Sequence, residues 1–124
     1  MIIALWIVQV LLGLAFLGAG YSHGFRAERM KSQPGGQWVA AVPRGLLTFI
    51  AICEFLSGVG VILPAVTGIL PWLTPLASAL LALIMLLAAG FHATRREYPN
   101  IVFNVVLLAL AAFVAYGRFV IVPL

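Results

Sequence analysis

The sequence predicts an all-α integral membrane protein, a four-helix bundle without an extramembrane domain. Hydrophobic residues make up 65% of the 124 residues, charged residues make up 8%, and the mean hydropathy is +1.20. This composition is too apolar for a soluble core together with the polar surface that covers it. One spanning helix takes about 20 residues, so the chain has room for about four. We therefore expect residues 1–124 to form a single transmembrane domain.

The first helix is predicted over about residues 2–21, where Gln9 is the strongly polar residue of an apolar run. Gly13 and Gly20 follow Gln9 at spacings that place all three residues on one helical face. Small residues let a neighbouring helix approach closely, so we expect this face to point into the bundle. Gln9 is then either an incidental member of a packing face or a contact for a bound ligand.

The longest connection is predicted from His23 to Gly45, and it carries four basic residues against the single acid Glu28. A Pro-Gly-Gly sequence breaks any helix there, and the apolar stretch Trp38–Val42 fits the membrane interface. Two interpretations remain open for this segment. It is either a lid over a cavity in the bundle or a solvated connector whose charge sets the topology and contacts anionic lipid.

The second helix is predicted over about residues 43–63 and contains the residue that most needs explaining, Glu54. An acidic side chain at the centre of a spanning helix costs about 2.5 to 3.5 kcal/mol, so it should face protein or a water-filled cavity. Ser57 lies three residues further on and shares its face. Cys53 is the only cysteine, which excludes an intrachain disulfide. We expect Glu54 to be the hub of a buried polar site.

The fourth helix is predicted over about residues 101–122 and carries Arg118 close to its end. The long side chain has two possible directions: outward to the lipid headgroups, or inward to meet Gln9 and Glu54. At 1.5 Å per residue, Glu54 and Arg118 differ in depth by about 12 Å, so an inward Arg118 would need Gln9 or a water molecule as a bridge. The predicted polar core consists of Glu54, Gln9, Ser57 and Arg118.

The third helix, about residues 72–92, is a nearly pure Leu, Ala and Ile packing wall that ends at His92. We predict a second polar cluster at this end of the bundle, formed by His92, His23, Glu97 and Asn104. The histidines cap their helices, or they bracket a proton path, a metal or a haem. A metal site usually needs three or four ligands, so we predict no metal.

The distribution of charge predicts the orientation of the bundle. Six of the seven basic residues lie in the connections after the first and third helices. Cytoplasmic loops carry the excess of Lys and Arg, so these two connections should face the cytoplasm and both termini should face outward. The net charge of +4 is small and is confined to a few segments, so it does not indicate nucleic-acid binding.

Four segments resemble the DoxX-like family of small four-helix bacterial membrane proteins: GAGYSHGF, CEFLSGVGVILP, FHATRREYPNIVFNVVL and YGRF. The resemblance implies a bundle in the bacterial inner membrane. It also implies relatives tied to thiosulfate oxidation by quinone, to redox-stress complexes and, more distantly, to disulfide chemistry. The family's recurring polar residues match Glu54, His92, Glu97, Asn104 and Arg118.

The sequence is compatible with several functions. The chain is an accessory subunit that binds a quinone or lipid near Glu54 and docks on a larger redox complex, or it is the catalytic subunit of a quinone-linked oxidoreductase. A homo-oligomeric transporter and a purely structural protein are further alternatives. The sequence contains no flavin or nucleotide motif, so a non-covalently bound quinone is the candidate cofactor.

Overall fold

The computed structural model describes residues 1–123, which are almost entirely helical. Four long helices within that range are long and apolar enough to span a membrane. They are α1 (Ile2–Phe25), α3 (Arg44–Thr67), α4 (Leu73–Thr94) and α5 (Tyr98–Tyr116), which a π-helical turn extends to Ile121. The predicted all-α four-helix membrane bundle is confirmed, and the chain is a multi-pass membrane protein.

The four long helices are arranged in a ring in which sequence neighbours lie side by side. Helix α1 packs most extensively on α3, and α4 packs most extensively on α5. The contact between α3 and α4 is smaller, and a limited contact between α1 and α5 closes the ring. Large apolar side chains with almost no exposed surface fill the centre: Leu12, Phe16, Val61, Leu81 and Val114.

Glycines bring α1 and α3 into close contact. A Cβ atom placed on Gly20 would lie 2.8 Å from the carbonyl oxygen of Ala51, and one placed on Gly58 would lie 2.9 Å from that of Gly13. Gln9, Gly13 and Gly20 are all buried, so the predicted inward face of the first helix is confirmed.

Helix α3 continues past Pro64 to Thr67, so the prediction that it ends before this proline is wrong. A proline inside a helix has no N–H to give to the carbonyl four residues earlier. That carbonyl belongs to Gly60, and it accepts a hydrogen bond from Thr74 Oγ1 of α4 at 3.1 Å instead. The helix ends at Gly68, whose φ of 73° is the left-handed conformation that glycine adopts without strain.

Two other helix ends also differ from the predictions. Helix α1 runs to Phe25 rather than to residue 21, and Gly24 in its last turn lies beside Ala51 of α3. Helix α5 begins at Tyr98 rather than at residue 101, because Pro99 in its first turn is compatible with a helix start. The extension of α1 matters most, since it places His23 on the helix.

The connection between α1 and α3 is folded against the bundle. It contains a short helix, α2 (Ala27–Met30), and a 3-10 turn from Gln37 to Ala41. Val39 is buried between Ala27 and Leu47. The side-chain amide of Asn100 on α5 donates a hydrogen bond to the Gly35 carbonyl at 2.9 Å. The segment is therefore a packed cap on the bundle, not simply a solvated connector.

Candidate functional site

Glu54 lies inside the bundle and is paired with His23. The residue is 3% exposed, and its Oε1 atom is 2.5 Å from His23 Nδ1. The pair joins the last turn of α1 to the middle of α3. The hydrogen-bond partner of Glu54 is His23 and not Gln9, Ser57 or Arg118, because the additional turn of α1 brings a histidine to the carboxylate.

Trp38 lies between the two histidines of the chain. Its ring centroid is 5.2 Å from that of His23 and 5.5 Å from that of His92, and both contacts are edge-to-face. Such arrangements match the charge distribution of aromatic rings and hold their partners in defined orientations. The cap segment therefore connects the two histidines through one indole.

His92 has a carboxylate partner of its own. Its Nδ1 atom is 2.9 Å from Glu97 Oε1, and Arg95 Nε donates to the same oxygen at 3.0 Å. Partial burial of Glu97 raises its pKa, but the hydrogen bonds from His92 and Arg95 outweigh burial and hold the pKa below the usual value. Glu97 is therefore an ionised acceptor at neutral pH, which fixes the orientation of the His92 ring.

These five side chains, Glu54, His23, Trp38, His92 and Glu97, form what we call the histidine cluster. Each imidazole is held through Nδ1 by a carboxylate, which leaves Nε2 as the second ring nitrogen. Nε2 accepts a hydrogen bond when the ring is neutral with its proton on Nδ1, and donates one when the ring is protonated. The cluster can therefore exchange a proton with a polar ligand.

A second polar group lies further along the bundle. Gln9 is fully buried, and its Nε2 atom donates to the Val61 carbonyl at 2.7 Å. Its Oε1 atom accepts a hydrogen bond from Arg118 Nε at 3.0 Å. Arg118 is 2% exposed, so its side chain turns into the bundle, the second of the two predicted directions. Its Cζ atom is 5.0 Å from the centroid of the Trp6 ring.

The predicted polar core is thus divided into two groups. Gln9 is bonded to Arg118, whereas Glu54 is bonded to His23. Val61, which binds Gln9, is seven residues beyond Glu54 on α3, or about 10 Å along the helix. The two polar groups therefore occupy different depths, and no hydrogen bond between their side chains joins them within residues 1–123.

Two of the predicted site residues have other surroundings. Ser57 lines an apolar groove of about 220 Å³ between α3 and α4, together with Gly60 and Ala77. Asn104 is buried on α5, and its Nδ2 atom has no hydrogen-bond partner in the described part of the chain. We found no group of three His, Cys, Asp or Glu side chains among residues 1–123 that could hold a metal ion.

Trp38 is the site residue that sequence reasoning missed. The sequence places it in an apolar stretch after Pro34, Gly35 and Gly36, which predicts an interfacial position but gives no contact. The available signal is a single tryptophan that follows a helix break in a basic loop. Tryptophans are common at membrane interfaces, so this signal does not predict a contact with the two histidines.

Comparison with known proteins gives one family. The DoxX-like family matches residues 7–114, which cover all four spanning helices up to the last turns of α5. No curated protein matches the chain, and no solved structure matches it either. The matched range includes every residue of the histidine cluster and Gln9, and it ends before Arg118.

Proposed function

The chain belongs to the DoxX-like family, and on that premise we propose that it is a ligand-binding accessory subunit of a membrane redox system. The membrane is the bacterial inner membrane, and the redox system is linked to quinone or thiosulfate. The ligand is a quinone or another small amphipathic molecule. The observation that carries this proposal is the buried Glu54–His23 pair beneath Trp38.

The chemistry of a quinone suits this arrangement. A quinone has carbonyl oxygens on an otherwise apolar ring, and small-molecule sites orient such ligands with a few polar groups in apolar surroundings. Nε2 of His23 can donate to a quinone carbonyl when the ring is protonated, and can accept from a quinol hydroxyl when the ring is neutral. The indole of Trp38 gives the ligand ring an apolar surface to stack on.

A catalytic subunit of a quinone-linked oxidoreductase is the second candidate. The observation that favours it is that both histidines have a carboxylate partner, as in a chain of groups that passes protons. Quinone reduction takes up two electrons and two protons. The Glu54–His23 pair would relay the two protons from water to the quinone, and the two electrons would come from a redox protein bound to the chain.

Ligand binding can be measured through Trp38. In a protein whose other tryptophans are replaced, Trp6→Phe and Trp72→Phe, a short-chain quinone such as decylubiquinone should quench the remaining fluorescence saturably in nanodiscs. Loss of a hydrogen bond to a charged group costs about 1.5 to 3 kcal/mol, so Glu54→Gln should weaken binding roughly 10- to 150-fold. Glu28→Gln, at an exposed acid on the connection that carries Trp38, is the matched control.

Equal quenching of the parent and of Glu54→Gln, without saturation, would contradict ligand binding at this site. Purification from native membranes tests the accessory role, because a redox protein should be recovered with the chain. Quinone reduction by the isolated chain with an artificial electron donor would favour the catalytic candidate. An oligomer that carries ion flux in liposomes would contradict both proposals and favour transport.

A further inference from the structure

The guanidinium of Arg118 is buried in the bundle and is only partly bonded. Nε donates to Gln9 Oε1 at 3.0 Å, and Nη1 donates to the Val122 carbonyl at 3.4 Å. Nη2 is buried and has no hydrogen-bond partner among residues 1–123. A buried charge is normally paired and fully hydrogen-bonded, because water is not there to solvate it. Arg118 departs from this rule.

The chain has no acidic side chain to offer Arg118. It contains three acids, and the structure pairs each of them with a residue other than Arg118. Glu28 is bonded to Lys31, Glu54 to His23, and Glu97 to His92 and Arg95. The positive charge of Arg118 is therefore not balanced by any side chain of its own protein.

The arginine is held rigidly, as a binding group would be. The Gln9 amide that accepts from Nε is itself fixed by its bond to the Val61 carbonyl at 2.7 Å. A Cβ atom on Gly117 would collide with Leu5, so α5 approaches α1 closely at the residue before Arg118. These contacts orient the guanidinium, whose Nη2 has no partner and whose Nη1 has only the long bond to Val122.

The location of Arg118 limits what that partner can be. Arg118 is three residues from the end of its span at Ile121, or about 5 Å along the helix axis, and Trp6 lies similarly close to the start of α1. Tryptophan is enriched at this level, where lipid headgroups meet the hydrocarbon. The other six Lys and Arg residues lie at the opposite end, in the connections and at the first residue of α3. Phospholipid phosphates are the anions found at this depth.

We propose that Arg118, positioned by Gln9 beside Trp6, binds one phosphate-type oxyanion, for which a phospholipid headgroup is the nearest source. Two oxygens of the phosphate accept from Nη1 and Nη2, a bidentate arrangement that the planar guanidinium favours. The phosphate displaces the Val122 carbonyl, whose 3.4 Å bond is longer than the usual 2.7 to 3.2 Å. This site is separate from the histidine cluster and does not depend on the proposed function.

Thermal unfolding in a zwitterionic detergent tests the proposal. Phosphatidylglycerol added to the micelles should raise the midpoint of the parent protein by several degrees, because a ligand that binds the folded state stabilises it. Arg118→Gln should abolish this increase. Arg96→Gln, at an exposed arginine on the opposite end, should keep it. Inorganic phosphate at constant ionic strength identifies the source: a response to phosphate alone indicates a soluble oxyanion, and a response only to the lipid indicates a headgroup.

A second measurement leaves Arg118 unchanged, so it tests the proposal even if Arg118→Gln does not fold. In a protein with Trp38→Phe and Trp72→Phe, the emission of Trp6 should change saturably with phosphatidylglycerol or phosphate, because the bound anion alters the cation beside the indole. An equal response to chloride would overturn the proposal. A response that appears only when extra residues are appended after Leu124 would also overturn the proposal. It would mean that the terminal carboxylate pairs with Arg118 when no residues are appended.

Discussion

At the scale of single residues, His23 shows how one turn of helix changes a site. The sequence correctly predicts that Glu54 is buried within a spanning helix, since a carboxylate in so apolar a run has to avoid lipid. It does not predict the partner. Ser22, His23 and Gly24 are weak helix formers, and tertiary packing against α3 extends α1 through them. Helix propensity alone therefore places His23 in the connection and not on α1.

The His23–Glu54 pair should contribute measurably to stability. Each single variant, His23→Gln and Glu54→Gln, should destabilise the protein by about 1.5 to 3 kcal/mol, because it leaves a buried polar partner without its charged hydrogen bond. The double variant should lose less than the sum of the two. Unfolding by SDS in mixed micelles measures all four proteins.

Additive losses would mean that the two side chains do not interact in the folded protein. The same cycle with Arg118→Gln in place of His23→Gln is the control, because Arg118 belongs to a different polar group. Its effect should add to that of Glu54→Gln within about 0.5 kcal/mol.

At the scale of helices, proline and glycine have effects that only neighbouring helices reveal. The predicted number of helices was right because four apolar runs of spanning length are visible in the sequence. The predicted end of α3 is wrong because a proline such as Pro64 usually marks the end of a helix. The sequence does not show that Thr74 donates a hydrogen bond to the Gly60 carbonyl, which the proline leaves without its usual N–H donor. Contacts between helices decide such ends.

The hydrogen bond between Thr74 and Gly60 leads to a double-mutant prediction. Thr74→Val keeps the shape of the side chain but leaves a buried carbonyl unpaired, which should cost about 1 to 3 kcal/mol. In a Pro64→Ala background the new N–H can bond that carbonyl, so Thr74→Val should cost clearly less. Chemical unfolding in detergent checks this. An equal cost in both backgrounds would show that the hydrogen bond is not the reason.

The close approach of α1 to α3 predicts opposite effects for two glycines on the same helix. Gly20→Ala would place a methyl group 2.8 Å from backbone atoms of Ala51 and Phe55, which cannot move aside easily, so we expect a loss of about 1 to 3 kcal/mol. Gly18→Ala meets no atom within 4 Å and should stabilise the helix by roughly 0.5 to 1 kcal/mol. Thermal unfolding in detergent compares them.

A stable Gly20→Ala variant would mean that α1 and α3 are further apart than the structure shows. Gly13→Leu is the more severe test of the same interface, because the Cβ atom alone already meets the Ile62 side chain. It should disrupt the bundle.

At the scale of the whole molecule, the connections after α1 and α4 lie at the same end. Trp38 contacts both His23 and His92, and Asn100 in the first turn of α5 donates a hydrogen bond to Gly35 of the first connection. These connections and Arg44, the first residue of α3, account for six of the seven basic residues. The positive-inside rule therefore predicts that this end faces the cytoplasm and that both termini face outward.

Cysteine labelling in intact cells tests the orientation. In a Cys53→Ser background, single cysteines replace Ser32 in the cap segment and Thr67 at the opposite end, and both positions are exposed. An impermeant thiol reagent should block Thr67→Cys and spare Ser32→Cys. The reverse pattern would show that the bundle has the opposite orientation.

The pairing of α1 with α3 and of α4 with α5 has a consequence for assembly. Each pair is contiguous in sequence, and the peptide between Gly68 and Trp72 links the two as a covalent tether. Helices that are stable individually in a bilayer can associate after insertion. Fragments 1–69 and 70–124, expressed together, should therefore reconstitute the protein, and an affinity tag on the first should recover the second. Failure to recover it would show that the tether is needed.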